Sequence, residues 1–229
     1  GTGFVDLSPQ GSISSDLFGI TPDGTKAWGQ FGDQNGQQHA FITKLDGTGF
    51  VDLSPQGSIS SSIGGLTPDG TRVWGQYTSQ NGQQRLFNTK IDGSEFIDIT
   101  PQGATAAVIN NITLDSTIAW GSFQYQKGQQ HAFITNLDGS GFVDLTPQGA
   151  KGSIIFGTTP NGSKLWGQFT SQNGQLHPFI SKLDGTEFID LNPKGSTQSG
   201  IGIITPDGTK ALGYFLNQNG VQHAFVSNL

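Results

Sequence analysis

Residues 1–46 read GTGFVDLSPQGSISSDLFGITPDGTKAWGQFGDQNGQQHAFITKLD, and this stretch decides the fold because the chain repeats it. The pattern restarts at Gly47, Gly93, Gly139 and Gly185 without insertion or deletion, and the last copy stops one residue short at Leu229. The 229 residues are therefore five units, 1–46, 47–92, 93–138, 139–184 and 185–229. A fixed period of this length marks a repeat architecture. The first two copies agree at 33 of 46 positions, and the columns of Phe4, Asp6, Pro9, Gly29, Gln34, Gly36 and Phe41 are identical in all five. The Trp28 column holds Trp74, Trp120 and Trp166, then becomes Leu212.

Within one unit, apolar and polar residues alternate in short runs cut by turn residues, with no capped helical period. The pattern predicts strands over Ser14–Thr21, Lys26–Phe31, Gln38–Leu45 and Phe50–Leu53. The intervening PDG, QNGQ and Asp46-Gly47 segments read as hairpin turns in which both central residues tolerate positive φ. Four antiparallel strands in 40–50 residues, repeated, describe a propeller blade. The expected fold class is all-β: a single five-bladed β-propeller domain spanning 1–229, with four antiparallel strands per blade. A linear β-solenoid is the alternative, disfavoured by the unit's length and the absence of capping ends. The chain opens on a fourth-strand sequence, GFVDLSP, and ends after a third-strand one, HAFVSNL. Residues Gly3–Ser8 are thus expected to complete the last blade beside Gln222–Leu229 and close the ring.

Composition narrows the function. Charged residues are only 12 %, yet 16 Phe and 4 Trp can build a core, which argues against charge-driven disorder and against a coiled coil. No apolar run reaches the ~18 residues of a membrane span. The absence of Cys removes disulfides, thiolate metal sites and a Cys nucleophile. A net charge of −6 with 11 Lys and Arg argues against a nucleic-acid partner. The chain begins at Gly1 and holds no Met, which reads as a mature or excised segment without a remaining signal peptide.

The motif His39-Ala40-Phe41, repeated at His131-Ala132-Phe133 and His223-Ala224-Phe225 after ITPDGTKAWGQ-type segments, resembles the bacterial "HAF" extracellular repeats. Copies two and four depart from it as Arg85-Leu86-Phe87 and His177-Pro178-Phe179. The resemblance implies a propeller-forming unit of an exported protein, extracellular or at the cell surface, and carries no agreed biochemical activity. The near-identity of the units is what recent amplification or design produces.

Trp28, His39 and Asp52 fall on the second, third and fourth strands of one blade. They are expected to form a structural polar network, since a buried carboxylate needs partners. Asp6 and His223 would form the same pair across the ring closure. A His/Asp catalytic or metal pair is the sharper reading, but five copies of a dyad, one carrying Arg85, favour structure. The invariant phenylalanines, Phe4 included, read as core. Asp23, Asp69 and Asp207, with Asp46 and its equivalents, lie in turns. Hard-cation sites need several converging oxygens, and no DxDxDG run occurs, so no metal is expected.

A glycosidase-like site needs paired carboxylates on the first strands, where only Asp16 is acidic. The two glutamates, Glu95 and Glu187, precede fourth strands. Neither GxSxG nor HExxH occurs. No enzymatic activity and no cofactor are expected. What remains is a binding face where the fourth-to-first connection and the second-to-third turn emerge together. It carries Gln10, Gln34, Asn35 and Gln37, then Gln56, Gln80, Asn81 and Gln83, with Tyr125 as an aromatic neighbour. Such loops are ordinary turn chemistry, or they suit sugar hydroxyls in a multivalent lectin-like arrangement. The reading is a monomeric, non-catalytic scaffold for protein partners, with carbohydrate binding as the alternative. Blade-specific function is expected in the variable segment Ser12–Phe18 and its counterparts, where Asp16, Lys151 and Gln198 differ between copies.

Overall fold

The computed structural model describes residues 3–125 and 128–229; Gly1, Thr2, Gln126 (the third copy of the Gln34 column) and Lys127 lie outside the described residues. Contacts divide the chain into two compact units, Gly1–Ser116 with Leu137–Gly139, and Thr117–Asn136 with Ser140–Leu229. The first holds β1 (Ser14–Ile20), β2 (Lys26–Gly32), β3 (Gln38–Lys44), β4 (Val51–Asp52), β5 (Ser60–Leu66), β6 (Arg72–Thr78), β7 (Gln84–Lys90), β8 (Ile97–Asp98) and β9 (Ala106–Ile112). The second holds β10 (Ile118–Gln124), β11 (Gln130–Asn136), β12 (Val143–Asp144), β13 (Gly152–Thr158), β14 (Lys164–Thr170), β15 (Leu176–Lys182), β16 (Ile189–Asp190), β17 (Gln198–Ile204), β18 (Lys210–Leu216) and β19 (Gln222–Asn228). The described residues include no helix. The antiparallel sheets β1-β2-β3-β4, β5-β6-β7-β8 and β13-β14-β15-β16 follow chain order, as the hairpin signals require.

The register sorts each blade into two faces. Trp28 pairs with Ile42, Gly29 with Phe41, Phe31 with His39, and Phe41 in turn with Asp52. Because side chains alternate along a strand, Ala27, Gly29, Phe31, His39, Phe41 and Asp52 share one face. Trp28, Gln30, Ala40, Ile42 and Val51 share the other.

Within each unit, a blade buries its second face against the first face of the next. In the first unit, Ala40, Ile42 and Leu53 pack on Ile63, Val73 and Phe87. In the second, Trp120, Ala132, Ile134 and Leu145 pack on Ile155, Leu165, Phe169 and Phe179, and Ile180 with Leu191 packs on Ala211.

The invariant Gly29 column has a specific cause. β1 carries a bulge between Leu17 and Gly19, which swings the Asp16 carbonyl toward β2. A Cβ on Gly29 would sit 1.9 Å from that oxygen. The equivalent approach is 2.1 Å at Gly75 and at Gly167, where the rings of Phe87 and Phe179 also lie over the glycine at 2.9 Å.

The turns differ from the expected form. The Thr21 carbonyl accepts from the Gly24 N–H at 2.8 Å, while the Thr21 N–H donates to the Lys26 carbonyl at 2.9 Å. This is the longer hairpin in which only the glycine needs positive φ, +69° at Gly24, +79° at Gly36 and +81° at Gly47. Asp23 then accepts from the Thr25 N–H at 3.1 Å and the Thr25 hydroxyl at 2.8 Å.

The invariant Phe50 column also departs from expectation. Phe41, Phe87, Phe133 and Phe179 are fully buried, whereas Phe50, Phe96 and Phe142 are half-exposed and Phe4 almost wholly so. The outer strand is only two residues long, so the phenylalanine before it caps the buried ring from the sheet edge. Ring centroids lie 5.8 Å apart for Phe41 and Phe50 and 4.7 Å for Phe179 and Phe188.

The expected strand at Gly3–Ser8 is not formed, and the last sheet, β17-β18-β19, has three strands. Asp6 accepts from the Ser8 N–H at 2.9 Å, and His223 meets Asn217 at 3.1 Å. Each formed outer strand has two ladder pairings and is delivered by the Asp-Gly turn that ends the preceding strand.

Two substitutions test this account. Gly167→Ala should cost roughly 3 kcal/mol or more in denaturant unfolding, because a backbone carbonyl occupies the Cβ position. Glu187, by contrast, holds φ +50° where Gly49 and Gly141 occupy the same column. Glu187→Gly should raise stability by roughly 0.5–1 kcal/mol, read as a higher Tm; an unchanged or lower Tm contradicts the strain.

Candidate functional site

The His–Asp pairing recurs down the chain. His39 Nδ1 lies 3.1 Å from Asp52 Oδ2, and the His131–Asp144 and His177–Asp190 distances are both 2.8 Å. In the second blade the guanidinium of Arg85 replaces the imidazole, 2.7 Å from Asp98, which also accepts from the Tyr77 hydroxyl at 2.9 Å. Trp28 is not in this network. Its pairing with Ile42 puts it on the opposite face from His39, where its ring meets Gly19 and Phe18. An even spacing between two paired strand positions decides shared faces, and the Trp28 and His39 columns fail it.

The network instead runs into the next blade. The Ala40 N–H points away from β2 and donates to Ser61 Oγ at 2.9 Å; Ser61 donates to Ser54 at 2.8 Å, and Ser54 meets His39 at 3.2 Å. Ala132, Ser153 and Thr146 repeat the arrangement at 2.8 Å and 2.7 Å. The departures are compensated. Ala107 stands where Ser61 does, and the Leu86 N–H donates to Thr100 at 2.7 Å instead. Pro178 has no N–H to offer, and Ser199 donates to Asn192. These buried donors would otherwise be unpaired, so the repeated polar residues serve as a seam between blades.

The amide-rich loops meet as expected. The Gln34, Gln80 and Gln172 amides lie beside the positions a Cβ would take on Gly11, Gly57 and Gly149, at 3.9, 3.4 and 3.3 Å. Gln10, Gln34, Asn35, Gln37, Gln56, Gln80 and Asn81 are exposed, and Gln83 is partly so. Several are occupied within the turn: Asn35 donates to Asp33 at 2.9 and 3.2 Å, and Asn81 accepts from Ser79 at 2.6 Å. Tyr125 stands edge-on to Phe123 and His131 at 4.9 and 5.3 Å.

Two matching grooves open beside these loops. One, about 230 Å³, is lined by Gln30 and Gln38 of the first blade and by Ser60, Ser62, Gln76, Thr78 and Gln84 of the second. The other, about 510 Å³, is lined at the same repeat positions by Gln130, Gly152, Ile154, Gln168, Thr170 and Leu176, with Lys151 added. Gln30 and Gln38 were not singled out from the sequence. The signal was their phase, since they are polar residues on the face that carries Trp28, Ala40 and Ile42.

The carboxylates in the turns are saturated locally. The Thr21 hydroxyl, then the Thr25 N–H and hydroxyl, hold the Asp23 carboxyl below its usual value, and the Thr48 hydroxyl and N–H do the same for Asp46. At Asp98, burial alone raises the value, but bonds from Thr100, Arg85 and Tyr77 outweigh it and leave the carboxyl lowered. Burial, then Asp98, pushes the Tyr77 hydroxyl up.

By sequence, no protein family and no curated protein matches the chain. By structure it is similar to a TolB-like protein from Agrobacterium tumefaciens, with a TM-score of 0.52 at 15 % identity, covering 95 % of this chain and 76 % of that one. It is also similar to a prolyl endopeptidase (TM-score 0.55, 12 % identity, 97 % of this chain and 35 % of that one). An oligogalacturonate lyase in complex with manganese gives a TM-score of 0.51 at 13 % identity, covering 94 % of this chain and 65 % of that one. The fold class is the β-propeller, in five blades. At these identities the likeness concerns the propeller fold alone.

The Arg85 variant of the seam gives a pH test. Asp98 is lowered when folded, so its contribution is present above the unfolded value of ~3.9 and lost as pH falls through the folded value. Asp98→Asn should cost roughly 1–3 kcal/mol at neutral pH, and the difference from wild type should shrink below pH ~4. A pH-independent difference in denaturant midpoints contradicts this assignment.

Proposed function

We propose that this chain is a non-catalytic repeat scaffold of the bacterial HAF type, acting outside the cell or at its surface and contacting other proteins through blade-specific side chains. The carrying observation is that four of the five first strands present apolar residues to solvent. Among the described residues, Phe18 and Ile20 on β1, Val108 on β9, Ile154 and Phe156 on β13 and Ile203 on β17 are all solvent-exposed, and all lie on first strands. First strands are also where the copies differ most, while the seam and turns are shared. Exposed apolar side chains on a strand mark contact surfaces, and sequence variation there lets blades that are otherwise alike present different surfaces. The described residues hold no group of three His, Cys, Asp or Glu placed to grip a metal, and the repeated His–Asp pairs are engaged in the seam.

The reading predicts that Phe18→Ser and Phe156→Ser together leave the Tm within a degree or two but weaken capture of a protein partner from the extracellular fraction about tenfold or more. Unchanged capture removes these strands from the interface.

The matching amide-lined grooves support carbohydrate as a second ligand class, because uncharged amides and hydroxyls suit sugar hydroxyls and recurrence would add avidity. Neutral oligosaccharides at millimolar concentration should then shift the side-chain amide resonances of Gln76 and Gln168. An unperturbed spectrum ends this second reading.

A further inference from the structure

Lys151 is the only charged residue in its repeat column, where the other copies carry Ile13, Ile59, Thr105 and Thr197. Its backbone is held in place, because its N–H donates to the Thr170 carbonyl at 2.7 Å. Its ammonium reaches the β14–β15 turn, 3.7 Å from where a Cβ on Gly174 would sit. Among the described residues Lys151 makes no ion pair. No carboxylate lines the groove to which it belongs. In a chain of net charge −6 this is a local site of the opposite sign.

The two amide-lined grooves share their repeat positions but differ in what fills them. Ile154 and Leu176 stand in the second groove where Ser62 and Gln84 stand in the first, and Gly152 stands where Ser60 does. The first groove, at about 230 Å³, has no charged lining residue. The second, at about 510 Å³, falls within the ~300–1,000 Å³ of small-ligand sites. Both of its walls belong to one compact unit, and β11 closes so tightly on β13 that a Cβ on Gly152 would lie 2.6 Å from the Gln130 carbonyl oxygen. The groove therefore offers three kinds of contact: an aliphatic pair, the Gln130 and Gln168 amides, and one ammonium. A pyranose ring matches the first two through its C–H face and its hydroxyls. A neutral sugar leaves the ammonium without a counter-charge.

We propose that the groove between the third and fourth blades binds a sugar bearing a carboxylate, with the Lys151 ammonium receiving that carboxylate. This ligand class rests on the carbohydrate reading above and adds the charge of the sugar and the groove that selects it. A charge-assisted hydrogen bond is stronger than a neutral one. Lys151 is exposed, and ion pairs in water contribute little each, so the preference over a neutral sugar is a matter of several-fold and falls with salt. The groove of the first two blades, with Ile59 in the Lys151 column, has no such preference.

Side-chain amide resonances of Gln168 and Gln76 report the two grooves separately, with glucuronate, glucose and acetate as probes. Glucuronate should shift Gln168 at a concentration roughly three- to tenfold lower than glucose does, while Gln76 responds to the two alike. Lys151→Gln should remove the preference at Gln168, and Lys151→Arg should keep it. Equal responses of Gln168 to glucuronate and glucose in the wild type overturn the proposal and leave the carbohydrate reading standing. A preference that survives Lys151→Gln also overturns it, as does acetate matching glucuronate, which reduces the site to a bare anion contact. Silence of both amides toward either sugar ends the carbohydrate reading as well.

Discussion

The Ala40 N–H is the constraint from which most of the structure follows. It lies in a strand, yet it points out of the sheet ladder into the space between blades, where water is excluded. A buried donor left unpaired costs about as much as a substantial core mutation, so a hydroxyl must arrive from the following blade. Ser61 supplies it, and in doing so sets the depth and direction at which Ile63, Val73 and Phe87 meet Ala40, Ile42 and Leu53. The apolar contact supplies most of the stabilisation, and the hydroxyl sets its register. The chain tolerates losing either the serine or the N–H, as at Ala107 and Pro178, only because Thr100 and Asn192 take over.

The elements were legible because the unit is repeated. Four strands and three turns per copy could be placed within a residue or so, since alternation and glycine spacing agreed five times over. The His–Asp pairing was legible for the same reason. The errors lay in quantities that repetition does not encode. Trp28 and His39 lie on adjacent strands, but only the pairing register shows that they face apart. The Phe50 column is identical in all copies, yet it caps a ring from a sheet edge, because identity between copies reports a shared environment without saying whether it is buried.

The candidate site was legible in outline. The amide-rich loops do converge, but the grooves beside them are formed by Gln30, Gln38 and their equivalents, which sit inside strands and carry no loop signature. The carboxylates that first suggest chemistry are bound by their own threonines, serines and backbone. What distinguishes one blade from another is the exposed face of its first strand, where the fold makes few demands and sequence is free to vary.

The repeat boundary does not coincide with the blade boundary. Gly47–Asp92 contributes β4 to one sheet and β5, β6 and β7 to the next. In genetic terms, duplicating this unit never adds a free-standing module: each new copy finishes its predecessor before it begins its own blade. Copy number can therefore change one unit at a time while every internal junction stays covalently stitched, and near-identical tandem copies can accumulate without a linker evolving between them.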